Sequence, residues 1–361
     1  MDLTNTEHNL KPNAEKKSVQ KSGSKTEKFL NMTFSVSQLA ELFGVSRTII
    51  YELVREGQIT GTSVPHGKGE KVIFNWNDHK ILTDRFMHRI KKPEHFKVKM
   101  FGNLKGGQGK STLAAQYAMR ASAQGLKTLI IDLDPQGHAT QFLGFKGKEA
   151  QELPTIRDAL IKDSTGKYLP LTKIIIPVTP LLSLIPSNLN LSTLDIELVP
   201  QTNREQKIPK LIEGIKNQYD LIIFDSSPAA SLTNISAILA SDELCVVCST
   251  DHTAVTGINK IFTIIASLEE EGNLNTPMVR IIPNLYDIRE KMAQECLGFL
   301  RTSYSDITTA TVVRKNQDLK EAQKLCQAIW QYNPKATGSE DITALTNELI
   351  SEAHLTDGVS Q

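Results

Sequence analysis

The sequence predicts an α/β protein in which a parallel sheet, covered by helices on both faces, follows a small domain of short helices and a hairpin. A glycine-rich stretch at 103–112 stands between a short apolar run and an amphipathic segment. From residue 96 onward, short apolar runs alternate with amphipathic segments. Such alternation is typical of parallel strands joined by crossover helices. Lys91-Lys92-Pro93-Glu94 ends the last helical pattern of the front part and marks the domain boundary.

Composition and charge narrow the class of protein. A chain of 361 residues allows two or three domains. It has no run of 18 apolar residues and no apolar core behind its first lysines, so we expect a cytoplasmic protein without a membrane span. Its four cysteines do not suggest a disulfide framework. Residues 1–99 hold 17 Lys and Arg against 11 Asp and Glu, and this basic front favours nucleic acid as a partner.

Residues 1–31 have the composition of a flexible tail. They contain six lysines and few large apolar residues, so they bury too little surface to fold alone. The alternative is a short helix that forms on dimerisation.

Residues 32–92 have the pattern of a helix-turn-helix followed by a wing. Ser35 with Gln38 forms a capping box, Ser46 is placed to cap a second helix, and Gly44 falls between them. The apolar residues recur at the spacing of two packed helices: Leu39, Ala40, Phe43, Val45, Ile50 and Leu53. A plain αα-hairpin in a small core is the alternative.

The second of these helices would expose residue types that contact phosphates and bases, namely Arg47, Thr48, Tyr51 and Arg55. Two short strands, at 59–64 and 71–74, flank a glycine-rich turn and predict a wing, where Lys68 and Lys71 would meet phosphates. A further helix is predicted at 78–90, with an apolar face of Ile81, Leu82, Phe86 and Ile90. We therefore predict that this domain binds DNA.

Residues 96–361 are predicted to form the second domain. Strands are predicted at 98–101, 128–132, 220–225, 243–248 and 278–283, and helices near 155–161, 204–217, 254–270 and 287–300. Ligands of such sheets bind at the carboxyl ends of the strands.

The glycine-rich stretch has the order strand, loop, helix that a phosphate-binding loop requires. Its glycines let several backbone N–H groups converge on one anion, and the helix N-terminus adds more donors. The loop residues are Lys105, Gly106, Gly107, Gln108, Gly109, Lys110, Ser111 and Thr112. Lys110 can reach the β- and γ-phosphates, and the hydroxyl of Ser111 suits Mg²⁺.

Two acidic motifs follow predicted strands, where the site should lie. Asp132 and Asp134 end the second strand, and Asp225 ends an apolar strand in the arrangement of a metal-binding Walker B aspartate. One aspartate after a strand often only caps the next helix. The phosphate loop followed by these two acidic motifs makes three motifs in order, and together they indicate nucleotide hydrolysis. Because an aspartate is a weak base, we expect that hydrolysis to be slow.

The form K-G-G-x-G-K-[ST] of the loop, with these aspartates, resembles the deviant Walker A loop of the ParA/MinD family of ATPases. The resemblance implies a P-loop NTPase fold, ATP and ADP as ligands, and Mg²⁺ as cofactor. It implies that Lys105 is the signature lysine that reaches the nucleotide of a second subunit, and that Lys110 is the Walker A lysine. Ser111 and Asp225 would hold the metal, Thr112 would contact phosphate, and Asp134, supported by Asp132, would position the attacking water. Asn284 is a candidate adenine contact.

The same resemblance, with the front domain, implies the longer plasmid type of partition ATPase. Such a protein would act as a homodimer on nucleoid DNA, be stimulated by a ParB-type centromere-binding partner, and repress its own operon. Arg289, with Arg314 and Lys315 as further candidates, would hold non-specific DNA. Ser226-Ser227-Pro228 departs from the common D-x-P-P pattern after Asp225.

Two other functions stay open from the sequence. One is a transcriptional repressor whose nucleotide state only tunes operator binding. The other is a MinD-like positioning ATPase on a membrane, which the terminal segment 341–354 disfavours because it carries acidic residues and no Lys or Arg.

Overall fold

The computed structural model describes residues 32–67, 69–95, 97–251, 254–272 and 276–351. The predicted tail at 1–31 and the predicted wing residue Lys68 lie outside these ranges, so both predictions stay untested.

Residues 32–90 form what we call the front unit. Its elements in chain order are β1 (Phe34–Ser35), α1 (Val36–Leu42), α2 (Arg47–Arg55), β2 (Thr62–His66), β3 (Gly69–Phe74) and α3 (Trp76–Phe86). The strands make an antiparallel sheet in the order β1-β3-β2. The predicted capping box is confirmed, because Ser35 Oγ accepts from Gln38 N while Gln38 Oε1 accepts from Ser35 N. Ser46 caps α2 as predicted.

Three details of the front unit differ from the prediction. The first wing strand begins at Thr62, three residues late, because Ile59 is buried and the N–H of Thr60 donates to Asp78. The third helix begins at Trp76, since Asn75 accepts from the first amides and forms a second capping box. Ile81 was predicted on the apolar face of this helix, but its side chain is 45% exposed. The buried face is instead formed by Trp76, Asp78, His79, Leu82, Thr83 and Phe86.

A seven-stranded sheet forms the centre of the rest of the molecule, in the order β10-β9-β4-β8-β5-β7-β6. Its strands are β4 (Val98–Gly102), β5 (Thr128–Asp132), β6 (Ile176–Pro177), β7 (Leu182–Ile185), β8 (Leu221–Asp225), β9 (Glu243–Ser249) and β10 (Met278–Asn284). All neighbours are parallel except β6 and β7. The predicted parallel sheet is confirmed except at this edge, where a tight turn at Thr179, whose hydroxyl accepts from Leu181 and Leu182, joins the two strands directly.

Helices cover both faces of the sheet. They are α4 (Lys110–Ala123), α5 (His138–Phe142), α6 (Gly147–Gln151), α7 (Ile156–Leu160), α8 (Leu171–Ile174), α9 (Leu194–Leu198), α10 (Lys207–Glu213), α11 (Leu232–Leu239), α12 (Ala254–Glu270), α13 (Lys291–Ser303), α14 (Gln317–Lys324), α15 (Ile329–Tyr332) and α16 (Thr337–Ser351). The single helix predicted at 204–217 is split. Pro209 lacks an N–H, and the carbonyl of Glu205 instead accepts from Ser236 Oγ. The helix predicted at 287–300 begins only at Lys291.

The apolar core on one face of the sheet continues without a break into the front unit. It joins Phe34 and Phe43 to residues of α4 and α16. Polar contacts also cross this junction: Gln38 Nε2 donates to Trp330 O at 3.1 Å, and Arg120 Nη2 lies 3.1 Å from Glu41 Oε1. The front unit is therefore packed onto the helix that begins at the predicted phosphate loop. Among the described residues, no helix combines the length and apolar character needed to cross a membrane.

Candidate nucleotide site

The predicted phosphate loop lies between β4 and α4, at the carboxyl edge of the sheet. Gly109 is the N-cap of α4 and has a φ of +84°, which disfavours other residues. A Cβ at this position would lie 2.5 Å from Asn284 Nδ2, so only glycine fits. The first turn of α4 contains Lys110, Ser111 and Thr112, and its amides face the loop. The arrangement is that of an anion site.

Hydrogen bonds between the loop and the neighbouring strands fix the conformation of the loop. Asn103 Nδ2 donates to Val247 O at 2.7 Å, and Gln108 Oε1 accepts from Ser249 N at 2.7 Å and lies 2.7 Å from Ser249 Oγ. Asn284 Nδ2 donates to the carbonyl of Gln108 at 2.7 Å. The buried side chains of Gln108 and Asn284 thus contribute to loop shape. Any contact of Gln108 with a phosphate would come from its backbone N–H.

Lys110 lies inside the loop. Its side chain is buried, and Nζ donates to the carbonyl of Lys105 at 3.2 Å. Burial lowers the pKa of Lys110, whereas the carboxylates of Asp225 and Asp134 act in the opposite direction. The three groups are therefore close enough to interact electrostatically, and the lysine is also hydrogen-bonded to the loop.

The environment of the Asp225 carboxylate shows whether the residues of this site fit a metal ion. Asp225 is completely buried, and neither carboxylate oxygen has a hydrogen-bond partner among the described residues. Burial raises the pKa of Asp225 well above its ordinary value, and the adjacent Asp132 raises it further, while the nearby Ser111 hydroxyl and Lys110 lower it. A buried carboxylate without partners is costly, and an oxygen ligand next to a hydroxyl is suited to Mg²⁺. The residues present therefore fit this cation.

Asp134 lies on the loop after β5, close to Lys110 and Asp225. Its side chain is largely buried, and Oδ1 accepts from Gln136 N at 3.0 Å. The second oxygen, Oδ2, lies 4.0 Å from His138 Nδ1. Asp132, directly before it, has its carboxylate held by the Asp134 and Thr140 amides and by the Thr140 hydroxyl. Burial raises the pKa of Asp132 to about 7, and these donors oppose the shift.

Lys105 lies at the rim of the loop. Its side chain is 43% exposed, and Nζ lies 3.2 Å from Asp251 Oδ2. Asp251 Oδ2 in turn lies 2.6 Å from Ser249 Oγ, whose single proton serves either this carboxylate or Gln108 Oε1. The loop thus carries two lysines in different places, Lys110 inside and Lys105 facing outward.

A cleft of about 430 Å³ adjoins the loop, and Asp134 is not among its lining residues. It is lined by Gly107, Gly109, Thr112, Leu113, Ser249, Thr250, Asp251, Asn284, Leu285, Glu290, Arg314, Lys315, Asn316, Leu319, Lys320 and Gln323. Asn284, which the sequence predicts as an adenine contact, is one of these lining residues. The guanidinium of Arg314 is held by Asp341 and Glu340 beside this cleft, which disfavours it as a contact for DNA.

The predicted DNA-contacting residues of α2 share one exposed face. Arg47, Thr48, Tyr51 and Arg55 are all exposed, while Ile50 and Leu53 are buried behind them. Arg289 lies far along the chain in the turn before α13. Its side chain is 84% exposed, but its guanidinium makes two hydrogen bonds to Asp287.

Sequence reasoning did not select three polar residues of this site. Thr140, Ser187 and Asp251 contact Asp132, Asp134 and Lys105 through hydrogen bonds or ion pairs. Only the structure shows that Ser187 contacts the loop of Asp134.

Comparisons with known proteins agree with the fold. Residues 96–278 match a family model described as an AAA domain. Cell division protein PomZ of Myxococcus xanthus is 32% identical over 330 residues, covering 91% of this chain and 96% of PomZ. Chromosome-partitioning ATPase Soj of Treponema pallidum is 28% identical over 256 residues, covering 71% of this chain and 97% of Soj. The ATP complex of a McdA variant from Cyanothece superposes with a TM-score of 0.60 at 20% identity, covering 74% and 98% of the two chains.

The fold and the loop define a P-loop protein that hydrolyses a nucleoside triphosphate. The chain belongs to the AAA-domain family of P-loop proteins, within its ParA/MinD group of ATPases. Its enzymatic activity is the hydrolysis of ATP.

Proposed function

We propose that this protein is a DNA-partition ATPase. It dimerises with ATP, the dimer holds nucleoid DNA without regard to sequence, and a centromere-binding partner of the ParB type stimulates its slow hydrolysis. The front unit, as a winged helix-turn-helix, binds an operator and represses the protein's own operon.

The position of Lys105 carries this proposal. Lys110 already occupies the phosphate loop, so a second lysine is not needed for one site. The side chain of Lys105 instead reaches the rim, near Asp251. A cation at the rim of one phosphate loop is placed to bind the phosphates of the nucleotide in a second copy of the chain.

The chemistry of hydrolysis follows from the other side chains. Lys110 and the loop amides neutralise phosphate charge, and Asp134 orients a water. Ser111 and Asp225 would hold Mg²⁺, which when bound supplies charge neutralisation at the phosphates. The Oδ2 atom of Asp134 is the oxygen left for the water, since Oδ1 accepts from Gln136 N.

The exposed face of α2 supports the DNA-binding part of the proposal. Arg47 and Arg55 stand at its two ends, with Thr48 and Tyr51 between them. Arginine at such a face pairs with phosphates or with the edges of guanine. The names of the relatives agree in part, since the Treponema protein is called a chromosome-partitioning ATPase and PomZ a cell division protein.

A second candidate function is a transcriptional repressor tuned by nucleotide. The contacts between the front unit and α4 favour it, because α4 begins at the phosphate loop. A membrane-bound positioning ATPase is disfavoured, since the described terminal helix α16 has acidic residues and no Lys or Arg.

DNA retention by the full chain separates these functions. We would measure binding to a random duplex with a non-hydrolysable ATP analogue, with ADP, and without nucleotide, over a series of salt concentrations. The partition function requires binding with the analogue alone, falling steeply with salt. Retention of the random duplex that ignores the nucleotide would contradict it, and binding confined to one sequence would favour the repressor.

A further inference from the structure

Four buried residues around the loop after β5 form a closed ring of hydrogen bonds. We call this ring the Asp134 clamp; its members are Asp132, Asp134, Thr140 and Ser187. Asp132 Oδ1 accepts from Asp134 N at 3.1 Å, and its Oδ2 accepts from Thr140 Oγ1 at 2.7 Å. Thr140 Oγ1 accepts from Ser187 N at 2.9 Å, and Ser187 Oγ donates to Asp134 O at 2.6 Å. Asp134 is 7% exposed and the others are 2% or less.

The direction of each hydrogen bond in the clamp is fixed by its donors. A backbone N–H can only donate, so Thr140 Oγ1 accepts from Ser187 N, and its own proton is given to Asp132 when that carboxyl is ionised. Asp132 then receives three donors, two of them backbone amides. No member can turn away without leaving a buried polar group unpaired, which is costly.

The clamp joins two separate elements. Asp132, Asp134 and Thr140 belong to β5, its loop and α5, whereas Ser187 follows β7, the neighbouring strand. Between them, Gly137 has a φ of +62°, and a Cβ there would lie 2.9 Å from the carbonyl oxygen of Ser187. The loop is therefore packed backbone to backbone against the end of β7.

Both peptide groups of Asp134 are held by this arrangement. Its N–H is bound by Asp132, and its carbonyl accepts from Ser187 Oγ and from Gly137 N. The contact of Oδ1 with Gln136 N restricts the side chain further. The other carboxylate oxygen, Oδ2, lies 4.0 Å from His138 Nδ1, and the Asp134 carboxylate is close enough to Lys110 and Asp225 to influence the pKa of both groups.

We propose that Ser187 and Thr140 are positioning residues for ATP hydrolysis, because they hold the backbone of Asp134 so that its Oδ2 meets the attacking water. This inference rests on the proposed role of Asp134. Neither residue lines the cleft beside the phosphate loop. Since geometry errors near 1 Å at a reacting group cost about 10²-fold in rate, the loss of either hydroxyl should lower kcat while leaving ATP binding intact.

The variants are made in the full chain and their ATP turnover is measured with duplex DNA present. Ser187→Ala and Thr140→Val should each lower kcat about tenfold or more, with less than a twofold change in KM for ATP. Thr140→Ser keeps the hydroxyl and should stay within about threefold of the wild-type kcat. Two controls remove hydroxyls elsewhere: Ser192→Ala, after β7, and Thr346→Val, in α16. Both should match the wild type.

Combination with Asp134→Ala separates positioning from a general structural effect. If Ser187 acts only through Asp134, then Ser187→Ala should lower turnover no further once Asp134 is alanine. Losses that multiply in the double variant would overturn the proposal, as would a wild-type kcat in Ser187→Ala. A Ser187→Ala variant that raises KM as strongly as it lowers kcat would also contradict it. A different result would show that the proposed role of Asp134 is wrong: in that case Asp134→Ala itself would keep the wild-type turnover.

Discussion

His79 Nε2 donates to the carbonyl oxygen of Ala123 across 2.6 Å and so ties the front unit to the last turn of α4. The imidazole is completely buried and packs between Phe34, Phe43 and Trp76. Burial lowers the pKa of His79 to about 4, and the bond to Ala123 only partly offsets this. A neutral histidine is therefore built into the junction between the two parts of the molecule.

The contribution of His79 to the free energy of unfolding should fall in acid, whereas Asp132, whose pKa is raised to about 7 by burial, should act in the opposite direction over the same pH range. The folded state binds a proton at His79 less readily than the unfolded chain, whose pKa is near 6.5. The contribution of neutral His79 to the free energy of unfolding is therefore complete above about pH 6.5. It is lost as the pH falls toward 4, and the total loss is about 3 kcal/mol. Urea unfolding followed by tryptophan emission at pH 7.5, 6 and 4.5 would measure it.

His79→Gln should lower stability at pH 7.5 but flatten its dependence on pH between 6.5 and 4.5. His138→Gln is the matched control, because that imidazole is 55% exposed. An unchanged pH profile in His79→Gln would show that other groups cause the acid loss.

Residues that act through local chain chemistry were predictable from the sequence. The capping serines and the strand that ends at Asp225 are examples, because caps and apolar runs depend on neighbours in the chain. The phosphate loop was recognisable for the same reason. Its lysines and glycines form one continuous motif.

Residues whose role depends on distant contacts were not predictable. Ser187 follows a strand of only four residues, Leu182–Ile185, which is too short to show a periodic pattern. Its partner Asp134 is 53 positions away along the chain. Gln108 looked like a ligand from its place in the loop, yet its side chain is bound to Ser249. Only the packing of β5, β7 and β9 brings these groups together.

ATP-dependent dimerisation should require Lys105. Lys105→Gln removes the cation at the rim but leaves Lys110 in its place, so monomeric ATP binding should persist. Light scattering with a non-hydrolysable ATP analogue should show dimers of the wild type and monomers of the variant. Lys173→Gln changes an exposed lysine elsewhere and should dimerise normally. Dimers of unchanged stability in Lys105→Gln would exclude the proposed contact between copies.

Asp134→Ala should uncouple ATP binding from hydrolysis. The side chain lies next to Lys110 and Asp225 but does not line the cleft beside the loop, so binding and dimerisation should survive. Turnover should fall about 10²-fold or more, as for the loss of a general base. Phosphate release and dimer formation, measured on the same sample, would test both halves of the expectation.

Asp225→Asn should abolish the effect of Mg²⁺ on stability in the presence of ATP analogue. In the wild type, ligand at 100 times its Kd stabilises the folded state by about 2.7 kcal/mol. The variant loses the buried anion that fits the metal. Its Tm should therefore respond little when Mg²⁺ is added. Asp306→Asn, an exposed change, should keep the wild-type shift.

Operator recognition should depend on Arg47 and Arg55. Both side chains are exposed on α2, and neither belongs to the apolar core that holds the helix in place. Replacing both by alanine should thus leave the fold intact while removing two cationic contacts. Specific binding should weaken by about 1–3 kcal/mol for each arginine that reads a base, and a phosphate contact should lower the salt slope by about one.

The measurement is a nuclease footprint on the promoter region of the protein's own operon, where a symmetric dimer should protect half-sites spaced by whole helical turns. Lys80→Ala, on the exposed side of α3 in the same front unit, is the control and should protect normally. Arg289→Ala should have the opposite effects from the variant in which Arg47 and Arg55 are both replaced by alanine. It should keep the footprint but weaken ATP-dependent binding to random DNA, provided that the pair with Asp287 opens to phosphate. Full protection of the operator by the Arg47→Ala, Arg55→Ala protein would show that α2 is not the recognition helix.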